Sequence, residues 1–241
     1  MSEDTQLPLN LEDTNSSQSE TNSPVICLGT TFANDDERRA YFREELRKQL
    51  PELKRIEGFP IGEDEDIINL SDPPYYTACP NPWLNDFIAE WEKEKEELER
   101  QGKRSKDFEV TEPYASDVSE GKNNPIYMAH AYHTKVPHPA IMRYILHYTQ
   151  PGDIVFDGFA GTGMTGVAAN LCGSEKDVNA LNEKDAKIGV RHGICSDLSP
   201  IASLIAASYN LKFNPIEFEK KTKAILNHVE KELGWMYETV V

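Results

Sequence analysis

Residues 151–169 read PGDIVFDGFAGTGMTGVAA, and the rest of the chain is best understood outward from them. Pro151-Gly152 is turn punctuation, and Ile154, Val155 and Phe156 make an apolar run of strand length. The run stops at Asp157-Gly158, a Gly161-x-Gly163 pair follows, and the small and apolar residues beyond it suit the opening of a helix. Strand, glycine loop and helix in that order bring backbone N–H groups and a helix N-terminus up to a nucleoside cofactor. Loop glycines have no Cβ, so the backbone passes close to a ligand and takes up positive φ without strain. Asp157, closing the strand, is placed to meet a polar or cationic part of that ligand.

Two other readings of the same loop stay open. Gly161, Gly163 and Gly166 fit the G-x-G-x-x-G spacing of a dinucleotide site, which would bring a nicotinamide or flavin cofactor. A strand–turn–helix that binds nothing also uses glycine for purely local reasons.

The 241 residues are enough for a sizeable core, and no apolar run is long enough to span a bilayer. The N-terminus has no signal-peptide pattern, so the expectation is a cytoplasmic protein with no membrane partner. Cys27, Cys79, Cys172 and Cys195 are scattered without a CxxC pair or metal-ligand spacing, which points to reduced thiols and no metal site. The formal charge of -16 opposes tight hold of a polyanion, since duplex DNA is gripped by Lys and Arg on its phosphates. Most DNA contacts of such a chain are expected to lie outside it.

Residues 1–24 carry almost no apolar side chain and read as a disordered tail. Val25–Gly29 is a short strand or docking segment, and Asn34-Asp35-Asp36 offers N-caps for a helix through Leu50. The apolar run at 66–71 reads as a strand ending in Asp72-Pro73-Pro74-Tyr75. Leu84 to Leu98 has helical spacing with a charged far end, and residues 107–124 read as a linker. A helix from about Pro139 follows Tyr132-His133-Thr134-Lys135-Val136-Pro137, with Ile141, Ile145 and Leu146 as core. His133 and His138, lacking carboxylate or Cys partners at metal spacing, read as surface or helix-start residues.

Beyond the glycine loop, most of Gly173–His192 is polar and reads as an insertion. Gly193 to Ser196 is then a second strand, closed by Asp197. In nucleoside-binding α/β folds an acid so placed accepts from ribose hydroxyls, usually about 20 residues beyond the glycines. The insertion accounts for the longer interval here. Pro200 starts an apolar helix, and Asn214-Pro215 starts another that ends at Gly234.

Over about Ile67 to Asn210 this pattern resembles the prokaryotic N6-adenine and N4-cytosine DNA methyltransferases. Its specific parts are Asp157 to Gly163 and Asp72 to Tyr75. The resemblance implies an α/β, Rossmann-like fold that binds S-adenosylmethionine, and a function in DNA methylation, as in restriction–modification, with adenine N6 as the target. It places the cofactor on Asp157, Phe159, Ala160, Gly161, Thr162, Gly163 and Asp197, with His133, Thr134 and Lys135 beside its methionine end. It assigns catalysis to Asp72, Pro73, Pro74 and Tyr75. An exocyclic amine is a poor nucleophile because its lone pair is delocalised into the ring. A carboxylate and a proline carbonyl accepting its two N–H bonds restore nucleophilicity, while the aromatic ring stacks on a base turned out of the duplex.

Over the N-terminal part and the HTKVP segment the chain resembles the start of long adenine-specific methylases that carry a zinc-ribbon insertion. Those continue further and hold another Asp-Pro-Pro-aromatic motif. A doubly wound sheet has about seven strands, against three legible here at 66–71, 153–157 and 193–197. The expected organisation is therefore a tail (1–24), a segment with the Asp-Pro-Pro-Tyr motif and charged helix (25–124), and the cofactor part of an incomplete methyltransferase domain (125–241). A C-terminal remainder or partner chain is expected to complete it. Competing functions are a non-catalytic cofactor-binding or assembly subunit, and an RNA or protein methyltransferase.

Overall fold

The computed structural model describes residues 23–183, 186–211 and 214–238. The tail expected over residues 1–24 lies outside them, save for its last two residues. Two compact units emerge among the described residues: one runs to Thr111 and takes back Thr149–Asp153, the other comprises Glu112–Tyr148 and the described residues from Ile154 onward.

The first unit opens with an antiparallel hairpin of β1 (Val25–Cys27) and β2 (Thr30–Phe32), paired Val25 to Phe32. Helix α1 (Asp35–Leu53) begins where the Asn34 side chain accepts the Glu37 N–H at 2.8 Å. Asp35, Asp36 and Glu37 in its first turn favour the positive end of the helix dipole. Its inward stripe is Arg38, Phe42, Leu46 and Leu50, four residues apart and all buried. Phe42 meets Trp83 edge-on at 5.4 Å, and Leu46 and Leu50 share a core with Ile67 and Ile68.

Here the expected strand at 66–71 is corrected. Asp64–Asn69 is a helix, α2. Ile67 and Ile68 are adjacent and both buried, which a half-buried strand with alternating faces does not allow. Asp64, Glu65 and Asp66 supply the acidic first turn that a helix favours. The chain then turns sharply, with Asp72 and Tyr76 exchanging backbone hydrogen bonds of 2.9 and 3.1 Å, and enters α3 (Leu84–Arg100). The returning strap is fixed by Gln150, which exchanges hydrogen bonds with the Ser105 backbone, and by Arg104 on Asp153 at 2.8 Å.

The second unit contains α4 (Pro125–Met128), α5 (His138–Tyr148), β3 (Ile154–Asp157), α6 (Met164–Leu171) and α7 (Glu175–Ala180). It continues through β4 (His192–Cys195), α8 (Pro200–Asn210) and α9 (Pro215–Leu233), then a 3-10 turn at Gly234–Tyr237. β3 and β4 pair in parallel, Ile154 with His192 through Asp157 with Cys195. Parallel neighbours require a crossover, and α6 and α7 form it. Met142, Ile145 and Leu146 of α5 pack on Ala168, Ala169 and Cys172.

Most of 173–192 is thus not an insertion. α7, capped by Ser174, delivers Val178 into that same core and its C-cap residue Leu181 follows, so the polar residues between them are only its outer face. His138 starts α5 as expected, but it is buried. Among the described residues this unit holds one two-stranded parallel sheet, so the α/β class stands on a single crossover unit. No described helix is long and apolar enough to cross a membrane, and no described cluster of His, Cys, Asp or Glu is arranged for a metal ion.

Candidate cofactor site

Parallel pairing of β3 with β4 sets Asp157 opposite Cys195, with Asp197 two residues further on. Both acids therefore stand at the carboxyl ends of neighbouring strands, where open α/β sheets bind their ligands. Asp197 spans the two ends: its Oδ2 accepts the Gly161 N–H at 2.8 Å across 36 residues of chain, and its Oδ1 accepts the Ser199 N–H at 2.8 Å. Asp157 accepts the Phe159 N–H at 3.1 Å and the Thr165 hydroxyl at 2.6 Å. The Ala160 N–H donates to the Ser196 carbonyl at 2.9 Å, and the Gly163 N–H closes a turn on the Ala160 carbonyl at 2.9 Å.

The glycine loop therefore spends the N–H groups of Phe159, Ala160, Gly161 and Gly163 inside the protein, and two carboxylates flank it. Cys195 lies against this site as a neutral thiol, pushed up to about 11 by burial and then by the Asp157 charge.

Two glycines are required by their surroundings. Gly161 has φ +53°, and a Cβ there would stand 2.9 Å from the Tyr132 ring. Gly163 has φ +78°, and a Cβ would meet the Ala206 Cβ of α8 at 2.6 Å. Between them Thr162 is buried, and its hydroxyl has no partner among the described residues.

Tyr132 ties the loop to the segment before α5. Tyr127, His130, Tyr132, His133 and Lys135 line a cavity of about 500 Å³. The Lys135 ammonium donates to the His130 carbonyl at 2.6 Å and sits 4.8 Å from the centre of the Tyr127 ring. Burial lowers its pKa. The Tyr209 hydroxyl of α8 donates to the Ile126 carbonyl at 2.9 Å, so it accepts from His130 Nδ1 at 2.9 Å. That fixes the His130 tautomer with Nε2 as a bare acceptor, buried and without a partner among the described residues. Burial, with the Lys135 charge second, lowers the His130 pKa and keeps the ring neutral.

Of the residues expected at the cofactor, Asp157, Ala160, Gly161, Gly163 and Asp197 are joined in one hydrogen-bonded arrangement. Thr162 sits inside it, and the Phe159 ring projects outward, 83% exposed. His133 and Lys135 line the cavity, and Thr134 is exposed. Sequence reasoning missed Tyr132, His130 and Tyr209. Tyr132 opens the 132–137 segment already singled out but was given no role there, whereas nothing in the α8 sequence marks Tyr209.

Asp72, Pro73, Pro74 and Tyr75 belong to the first unit. Arg38, 1% exposed, donates through Nη1 to the Pro73 carbonyl at 2.6 Å and through Nη2 to Asp72 Oδ1 at 3.1 Å. Its Cζ lies 4.9 Å from the centre of the Tyr75 ring. Arg39 Nε stands 3.1 Å from the same Asp72 oxygen. The carboxylate and the carbonyl that a target amine needs are thus both accepting from a guanidinium. Tyr75 remains half-exposed beside Phe87 at 5.7 Å, and burial with a Cys27 hydrogen bond raises its pKa.

The profile of an N6/N4 methyltransferase family, described as DNA methylase, matches residues 20–228. No curated protein and no solved structure matches the chain.

Proposed function

We propose, from the premise that this chain belongs to the N6/N4 family of DNA methylases, that its second unit is the S-adenosylmethionine site of an adenine-N6 methyltransferase. Membership makes the protein a methyltransferase acting on DNA at adenine N6 or cytosine N4, in a family that generally uses S-adenosylmethionine. The cofactor supplies an electrophilic methyl on a sulfonium.

One observation carries the cofactor assignment: the loop offers acceptors where a dinucleotide needs donors. A pyrophosphate is held by uncommitted N–H groups at a loop and helix N-terminus. Here four of those N–H groups are committed within the protein, and Asp157 and Asp197 would repel the phosphates. A cationic ligand with ribose hydroxyls fits the same acceptors. Each carboxylate oxygen accepting one hydrogen bond retains a lone pair, which leaves Asp197 for ribose hydroxyls and Asp157 for the methionine ammonium. Phe159 offers an exposed ring to the adenine, Thr162 brings the loop's one hydroxyl without a partner among the described residues, and the segment around His133, Thr134 and Lys135 takes the methionine end.

For the target amine, Asp72 and Pro73 carry the acceptor atoms that the chemistry asks for, and Tyr75 the stacking surface. Assigning them catalysis requires Arg38 to release them. The occupied geometry favours a second reading, in which Arg38 fastens this corner and another copy of the motif, on further polypeptide, accepts the amine. That polypeptide would also extend the two-stranded sheet, where Phe156 is 70% exposed, and supply the cationic DNA contacts that a charge of -16 withholds.

Methyl transfer from labelled S-adenosylmethionine to DNA, followed by nucleoside analysis, tests the proposal. N6-methyladenine is the expected product. N4-methylcytosine alone would move the target to cytosine, and cofactor binding without transfer under any complementation would make the chain an assembly subunit.

A further inference from the structure

Helix α9 runs for 19 residues, and none of them is buried. It nevertheless carries an apolar stripe of Phe218, Thr222, Ile225, Leu226, Val229 and Leu233, whose five large side chains are 43–63% exposed. At about 100° per residue these six positions fall within a band roughly 100° wide, the width of a face that packs on another helix.

The spacing of the stripe is its informative property. The intervals are four, three, one, three and four residues, the same read in either direction about the midpoint of Ile225 and Leu226. A two-fold axis through that midpoint, relating antiparallel helices, sets Phe218 against Leu233, Thr222 against Val229 and Ile225 against Leu226. An isologous contact needs this self-complementarity, and an unrelated partner does not impose it.

The charges beside the stripe agree with that orientation. Glu219, Lys223 and Glu230 border one side, and Lys221, His228 and Glu232 the other. In an antiparallel pair like sides meet with heights reversed, so Lys223 approaches Glu230 of the second copy and Lys221 approaches Glu232 of the second copy, two attractive contacts against one like-charge contact of Glu219 with Glu230 of the second copy. A parallel pair would set Lys223 against Lys221 and Glu230 against Glu232, two repulsive contacts against one attractive contact of Glu219 with Lys221, so the balance favours the antiparallel pair. The Lys223–Glu219 and His228–Glu232 pairs within the helix are exposed and give way readily. α9 holds four Glu and four Lys, a formal charge of zero in a chain of -16, so two copies meet here without the repulsion carried by the rest of the surface.

We propose that α9 is a homodimer contact, pairing antiparallel with α9 of a second copy about the Ile225–Leu226 midpoint. The contact is independent of the cofactor site and does not rest on the methyltransferase reading.

Light scattering on the full chain, eluted at about 1 to 100 μM as suits a small interface, tests this. The mass should rise from 27.3 kDa toward twice that value with concentration. Leu226→Asp, at a site 61% exposed, should leave the circular dichroism unchanged and hold the chain at monomer mass throughout. Lys221→Glu with Lys223→Glu, and Glu230→Lys with Glu232→Lys, should each be monomeric alone and dimeric when mixed. A wild-type chain that stays monomeric overturns the proposal. So does association that survives Leu226→Asp, or a failure of the two charge variants to pair.

Discussion

Gly163 shows how closely single residues are specified around the cofactor loop. Its φ of +78° is unfavourable for any L side chain, and a Cβ would lie 2.6 Å from that of Ala206. Gly163→Ala should cost on the order of 2 kcal/mol in urea unfolding, and an unchanged midpoint would refute the packing described. Asp197 is as exacting, because it faces an N–H donor at each oxygen. Asp197→Asn turns an amide NH₂ toward one of those donors, so S-adenosylhomocysteine affinity should fall at least about tenfold. His138 is buried with Nδ1 lacking a partner among the described residues, and burial lowers its pKa below the ordinary 6.5. The unfolded chain therefore takes up the proton first, so stability present above about pH 6.5 is lost as pH falls through the folded value. His130 acts in the same direction. His138→Gln should flatten the melting temperature between pH 7 and 5, and an unaltered slope would remove His138 from that account. Strand-ending acids such as Asp157 and Asp197 were legible because their position follows from the strand itself. Arg38 was not, since a charge in the run Asp35-Asp36-Glu37-Arg38-Arg39 reads as solvated. Only its place at the head of a four-residue spacing that continues through Phe42, Leu46 and Leu50 marks the buried face.

Among elements, the short ones carried the ambiguity. The six residues of α2 hold one apolar pair, too little for periodicity to separate helix from strand, and the acidic first turn is the signal that the strand reading passed over. α7 looked like an insertion because Val178 and the C-cap Leu181, its inward residues, are outnumbered by polar neighbours. Long elements with caps, α8 after Ser199-Pro200 and α9 after Asn214-Pro215, were readable because capping is local chemistry. The corner after α2 bears on function. Asp72→Ala leaves the guanidinium of Arg38 short of its buried partner, so unfolding stability should drop by about 3 kcal/mol while S-adenosylhomocysteine affinity is kept. Melting temperature and turnover measured on that variant separate the two readings. Lost turnover at native stability would make Asp72 a catalytic acceptor, and native turnover at lowered stability would make it a fastener.

For the whole molecule, one crossover unit joins the two acids to the glycine loop, and the loop presents acceptors to the ligand proposed for it. The family match over residues 20–228 supplies the reaction, and the geometry supplies the reason for preferring a sulfonium nucleoside to a dinucleotide. The net charge and the exposed sheet residue Phe156 lead to the expectation that methyl transfer to duplex DNA needs further polypeptide beside this chain. Unaided transfer by the monomeric chain would contradict it. Cofactor binding asks for less, since every group assigned to it lies within the second unit. Isothermal titration of the chain with S-adenosylhomocysteine, and separately with NAD, is therefore the most direct test of the central claim. One equivalent of S-adenosylhomocysteine should bind, Gly161→Val should abolish that binding, and NAD should give no heat. Binding of NAD with none of S-adenosylhomocysteine would contradict the account.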